Sequence, residues 1–144
     1  MNEMITYGLL ISMFVATYYD LRYNRVPNSL IAILILFRIV MGIFNDYRQL
    51  MISALLTVVV IIISLIIYYA FKEKIGAGDF KIVIMLAFCL NIFAFFNTII
   101  ITMCIILIFC IFTLLSKRLT RKSTIPLVPF FTIATITQMI IQNF

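Results

Sequence analysis

The sequence predicts an all-α fold, a polytopic membrane bundle of about six transmembrane helices with both termini outside, and three observations predict it. Of the 144 residues, 65% are hydrophobic and only 11% are charged. The apolar residues fall into six runs separated by short polar clusters, and the basic residues gather in alternate connections. A bilayer core of about 30 Å takes roughly 20 helical residues to cross, so a chain of this length supplies about six spans and little else. Residues 1–144 are therefore read as one membrane-embedded domain whose active site, if it has one, is made from the spans and their loops.

The first run, residues 4–19, follows Met1-Asn2-Glu3, which lacks the basic start of a cleavable signal, and no small-residue cleavage site comes after it. The first helix is expected to stay. The second run, residues 29–44, begins behind Pro27, whose fixed φ suits a helix start, with Asn28 placed to cap or to bond nearby backbone. Arg38 interrupts this run and is expected to snorkel to the nearer interface rather than face the bundle interior. The third run covers residues 50–71. The fourth and fifth, residues 80–96 and 98–115, are nearly continuous. A single helix from Ile82 to Leu115 would be roughly 50 Å long, too long for one crossing, so a break is expected between Asn91 and Asn97. The sixth run, residues 125–141, carries Pro126, Pro129, Thr132, Thr135 and Thr137. Such a mixture either packs closely on a neighbouring helix or lines a cavity; Pro126, Pro129 and Thr132 are the candidates for a substrate groove.

Arg22 and Arg25 follow the first run, Lys72, Lys74 and Lys81 flank the third connection, and Lys117, Arg118, Arg121 and Lys122 precede the sixth run. Short basic loops stay in the cytoplasm. This orientation puts the basic loops, and the acids Asp20 and Asp79 with them, on the cytoplasmic side of the cell membrane. The net charge of +6 then reads as topology plus contact with anionic lipids, and no nucleic-acid partner is expected.

Cys89, Cys104 and Cys110 all lie in apolar runs without Cys-x-x-Cys spacing, and they read as small buried residues. The chain has no histidine, so the usual His and Cys zinc sets and the Ser-His or Cys-His nucleophiles cannot be assembled. No metal and no cofactor is expected. No phosphate-binding glycine loop is present either. Carboxylate chemistry remains.

Asp20, in Tyr18-Tyr19-Asp20-Leu21-Arg22, and Asp79, in Gly76-Ala77-Gly78-Asp79, each stand at the edge of a long apolar run in a chain with five acidic residues. A carboxylate beside hydrocarbon is costly unless water or a function keeps it there. Taken singly, Asp79 reads as the N-cap of a helix beginning at Phe80, behind a glycine turn, and Asp20 as a flanking residue balanced by Arg22. Taken together, they read as an acid and a base. The competing acids fit less well, because Glu73 lies between Lys72 and Lys74 and Asp46 falls on the outer side. Lys81, about 200° around the helix from Asp79, is expected to snorkel to the interface.

The segment Asp20-Leu21-Arg22-Tyr23-Asn24-Arg25-Val26-Pro27-Asn28, the later Gly76-Ala77-Gly78-Asp79-Phe80-Lys81, and Ile125-Pro126-Leu127-Val128-Pro129-Phe130 opening the last run resemble the type IV prepilin peptidase family. That resemblance covers essentially the whole chain, with its specific content in about twenty residues. It implies an intramembrane aspartic endopeptidase with Asp20 and Asp79 as its catalytic pair, supported by Gly76, Gly78, Pro27 and Asn28. It also implies a partner: a type IV pilin-like precursor, with a short polar leader cut after a glycine just before an apolar helix. The large bacterial members carry a cytoplasmic insertion with Cys-x-x-Cys pairs and a methyltransferase activity, and this chain has no such insertion. In size it is similar to the compact forms that process Flp-type pilins or archaeal preflagellins. Two other readings use the same residues: a proton- or cation-coupled transporter, and an inactive structural subunit of a secretion assembly.

Two carboxylates brought close share a proton and titrate as a pair, which predicts a bell-shaped pH profile. A helix N-terminus favours a nearby anion, so on sequence grounds Asp79 is the ionised partner and Asp20 the protonated one. The two glycines before Asp79 leave room for substrate backbone and let the loop bring Asp79 beside Asp20.

Overall fold

A computed structural model describes residues 3–23, 25–70, 77–115 and 126–143. Among them are six α-helices and no strand: α1 (Glu3–Tyr23), α2 (Asn28–Asn45), α3 (Tyr47–Ala70), α4 (Ala77–Cys89), α5 (Ile92–Leu115) and α6 (Val128–Asn143). Gly76, Glu73, Lys72 and Lys74 lie outside the described residues, as do Lys117, Arg118, Arg121, Lys122 and Ile125.

The helices are apolar on the outside and partly polar within. In α3 the buried positions are Leu50, Ser53, Thr57, Val60 and Ser64, at helical spacing, while Leu55, Val58, Val59, Ile62 and Ile66 are exposed. A water-soluble helix has the reverse arrangement. Here small hydroxyl residues let helices approach closely, and Ser53 and Thr57 return their hydroxyls to carbonyls one turn back. Stretches of α1, α3 and α5, residues Met4–Tyr23, Tyr47–Ala70 and Ile92–Thr113, are each long and apolar enough to cross a membrane; α2 and α6 contribute shorter apolar stretches.

α4 has the central place in the core. It packs on α2 and α3, while α1 packs on α2 and α6, and α6 on α5. Ile82, Met85 and Leu86 of α4 are fully buried with Leu9, Met13 and Ala16 of α1, next to Leu34 of α2 and Phe131 of α6.

Two boundaries and the placement of one side chain sharpen or change the sequence expectation. The break between the fourth and fifth runs falls at Leu90–Asn91, at the near edge of the expected interval. Asn91 makes it, by accepting the Ala94 N–H on its side-chain oxygen (2.8 Å) and the Phe95 N–H on its carbonyl (2.8 Å). Residues 92–96 accordingly belong to α5, and Asn97 lies inside that helix. α4 starts at Ala77 rather than Phe80, so Asp79 occupies its first turn instead of capping it. Arg38 is 3% exposed: it faces the bundle interior and does not snorkel. From the middle of α2 its side chain lies on the stripe that packs against α4, far from either end of the helix.

Asp46, the competing acid at the α2–α3 junction, serves as a cap. It accepts the Gln49 N–H at 3.1 Å at the start of α3, the ordinary N-cap arrangement.

Candidate active site

α1 ends, and α2, α4 and α6 begin, at the same end of the bundle, and the antiparallel path of the chain alone brings their polar residues together there. Asp20 is in the last turn of α1, 9% exposed. Its Oδ2 accepts the backbone N–H of Val128, the first residue of α6, at 3.3 Å. The first N–H groups of a helix have no partner within the helix and carry partial positive charge, so the start of α6 is a natural seat for a carboxylate. Pro126 and Pro129 bracket that seat. A proline in the first helical turn gives up only an N–H that the helix would not use, leaving the Val128 N–H free for Asp20. Arg22, expected to balance Asp20, donates instead to the Tyr18 hydroxyl at 2.6 Å and lies over the Tyr23 ring.

Asp79 is in the first turn of α4, ahead of the apolar stretch that starts at Phe80, and is half-buried. Burial first, and the nearby Asp20 carboxylate second, push its pKa up to about 6. A carboxylate 59 positions earlier in the sequence thus acts on Asp79 in the fold.

Asn28 and Lys81 are also brought together. Asn28 is the first residue of α2, behind Pro27 in an extended conformation (φ −67°, ψ 131°), and Pro27 offers no side-chain cap. The Asn28 side-chain oxygen accepts a hydrogen bond from Lys81 Nζ at 2.7 Å. Lys81 is therefore held by α2 instead of reaching for the interface, and Asn28 spends its oxygen on α4 instead of on capping. The Pro-Asn element and the Gly-x-Gly-Asp element are physically joined by this bond.

Gly78 lies inside the first turn of α4, not in a turn ahead of it, and a Cβ built there would meet only Val26 Cγ2 at 3.9 Å, an ordinary contact. Gly78→Ala is expected to leave the thermal midpoint in detergent unchanged or raised, since alanine is favoured in helices by up to about 1 kcal/mol. A lowered midpoint would contradict this packing. If cleavage falls while the midpoint holds, the missing side chain is needed for clearance of substrate.

Of the candidate groove residues, Pro126 and Pro129 are half-buried at the start of α6. Thr132 is buried at the α1–α6 contact. Its hydroxyl pairs with that of Thr17 at 2.6 Å and donates to the Val128 carbonyl at 3.0 Å. This is a packing role that aligns α6 on α1, one turn from the Asp20–Val128 bond. Thr135 is likewise buried, bonded to the Phe131 carbonyl. Among the described residues no group of three or more acids, cysteines or histidines is arranged to hold a metal ion.

Sequence reasoning did not find the Val128 N–H, because a backbone donor has no signature beyond the prolines beside it. The position of Lys81 relative to Asp79 on its own helix does not reveal the partner that fixes it, because Asn28 is on another.

No curated protein and no solved structure matches the chain. A sequence model of the type IV leader peptidase family matches residues 7–111, a stretch that contains Asp20, Pro27, Asn28, Gly76, Gly78 and Asp79 and stops short of α6. With well over half of its length in that match, the chain belongs to the type IV leader peptidase family, whose members are proteases that process type IV pilin-like precursors.

Proposed function

We propose that the protein is an aspartic endopeptidase that removes the short leader of a type IV pilin-like precursor, cutting after a glycine, with Asp20 and Asp79 as the catalytic pair. The observation that carries this reading is the electrostatic action of Asp20 on Asp79 across two helices, at the end of the bundle where Asn28 also meets Lys81. Without a metal or a covalent nucleophile, peptide hydrolysis needs one carboxylate to take a proton from water and one carboxyl to give a proton to the carbonyl oxygen. The water oxygen then bonds to the carbonyl carbon. As the tetrahedral species collapses, the peptide nitrogen takes up a proton and leaves as the amine.

In this reading Asp79 carries the pair's proton and Asp20 its charge, opposite to the order that the helix dipole alone implies. Burial disfavours the charge of both acids, but at Asp20 the Val128 N–H at the start of α6 works against it, whereas at Asp79 the Asp20 charge adds to it. Asp20 is then the base toward water, and Asp79 the acid toward the carbonyl.

The basic residues Arg22 and Arg25 beside this end of the bundle support a cytoplasmic site in the cell membrane, with both termini outside and the whole chain forming one peptidase domain. An apolar groove of about 430 Å³ between α1 and α2, lined by Ile11, Val15, Tyr19, Leu30, Ile33 and Phe37, supports docking of apolar side chains from the substrate's helix. Tyr19 ends the groove next to Asp20. Neither metal nor cofactor enters the mechanism.

The test is leader removal from a co-expressed precursor by Asp20→Asn and Asp79→Asn variants, each checked for membrane insertion. Loss in both supports the pair, and continued processing by either one overturns it.

The profile of kcat/KM against pH reports the free enzyme. It is expected to fall on the alkaline side above about pH 6, as Asp79 loses its proton. Stability moves the same way. Asp79 binds its proton more tightly folded than unfolded, so its contribution to stability is full below the ordinary carboxylate value of 3.8 and is lost as pH rises through about 6. An activity profile flat from pH 5 to 8 would exclude the shared proton.

A further inference from the structure

Arg38 is 3% exposed in the middle of α2, and its Nε has no hydrogen-bond partner among the described residues. A guanidinium carries five N–H donors and keeps its charge, so its burial within a membrane bundle calls for an electrostatic reason. Near it lie Cys89, the last residue of α4, and the carboxylate of Asp46, just past the end of its own helix. α1 and α3 also pack on α2 and add no such group among the described residues.

The reason lies in the length of α4. Its 13 residues extend about 20 Å, well short of a bilayer core of about 30 Å, so the helix that begins at the site ends inside the membrane. Its last carbonyls lack partners within the helix and carry about half a negative charge, at a depth where no water is available to them. The Leu86 carbonyl is satisfied by the Leu90 N–H. The negative charge of the helix end remains.

We propose that Arg38 is a positioning residue, whose guanidinium offsets the negative end of α4 within the membrane and thereby fixes the depth of Asp79 at the other end. This rests on the Asp20–Asp79 reading of the site. α2 and α4 run side by side in the same direction, tied at their starts by Lys81 and Asn28. Arg38, about 15 Å further along α2, supplies the second tie. Between the two lie Leu34, Ile82, Met85 and Leu86, contacts that are non-directional and resist sliding poorly. With both ends held, α4 can neither slip along α2 nor turn on it, and Asp79 stays within range of Asp20, the charged group that faces it from α1.

The experiment compares wild type, Arg38→Met and Arg38→Lys, purified in detergent, in kcat/KM against pH on a purified type IV pilin-like precursor. Removing the charge is expected to move the alkaline limb from near pH 6 toward the ordinary carboxylate value of 3.8, as Asp79 leaves its half-buried place beside Asp20. Arg38→Lys, which keeps a cation, is expected to retain the wild-type limb. A merely structural defect lowers cleavage by the same factor at every pH, so an Arg38→Met limb that stays in place overturns the proposal, whatever its amplitude. If Arg38→Met does not accumulate, Arg38→Gln replaces it with the same two outcomes. Asp79→Asn, run alongside, separates the layers. Continued cleavage by that variant removes the carboxylate pair itself, whereas an inactive Asp79→Asn beside an unmoved Arg38→Met limb removes only the role of Arg38.

Discussion

Asp79→Asn is expected to reduce leader removal by roughly a hundred- to ten-thousand-fold, the range that a positioned acid or base contributes, with the variant still inserted and folded. The substitution keeps the shape of the side chain and removes its titration. At the start of α4 an asparagine is well tolerated, and the buried contacts of the helix come from Ile82, Met85 and Leu86 further along, so stability is expected to change little. The amide also relieves the repulsion between the two acids, which in the wild type raises Asp79. The variant is therefore expected to melt no lower than wild type at pH 7, above the range in which Asp79 ionises. Loss of cleavage with an unchanged or higher thermal midpoint is the signature of a catalytic carboxyl. Loss of both together would instead make Asp79 a residue of the fold. Precursor accumulation on a gel and a melting curve in detergent separate the two.

Val128→Pro is expected to reduce kcat/KM by roughly ten- to a hundred-fold without unfolding α6. Val128 is the first residue of that helix, a position where proline is preferred because its missing N–H has no partner within the helix. The substitution removes the donor to Asp20 and, because Val128 is fully buried, part of the packing of its side chain. A hydrogen bond to a charged group is worth about 1.5–3 kcal/mol, and each 1.36 kcal/mol of barrier is about a factor of ten. Val128→Ala is the control, since it trims the side chain and keeps the N–H. It is expected to lose thermal stability, Val128 being fully buried, and to keep most of its activity per folded molecule. If the alanine variant loses as much activity per folded molecule as the proline variant, the Asp20–Val128 bond has no part in catalysis.

Most of the helices could be read from the sequence because each is a long apolar run closed by charged or turn-forming residues, and a membrane leaves few other ways to satisfy the backbone. The six-helix count follows from that, as does the candidate acid pair, since carboxylates are scarce in this chain. What the sequence could not give was anything decided between helices. Arg38 looks like a snorkelling residue when α2 is taken alone, and its burial depends on the premature end of a different helix. Asn28 looks like a cap, and Lys81 like an interface cation, until α2 and α4 lie together. The order of protonation also depends on a contact between helices, because the N–H that reaches Asp20 belongs to α6. Local rules did locate the break before α5, but only to within a few residues, since Asn91 and Asn97 are equally good caps in isolation and tertiary packing selects the first.

The bond between Asp20 and Val128 joins residues 108 positions apart, and this has a consequence for how the protein is made. Chains are synthesised from the N-terminus, so α1 emerges and inserts with its acid long before α6 exists. During that interval Asp20 has no backbone donor, and a carboxylate in that condition at a membrane edge depends on water. The last helix to be synthesised thus completes the surroundings of a residue in the first. A ribosome-bound chain lacking α6 already holds both aspartates, yet the backbone donor of Asp20 has not been made.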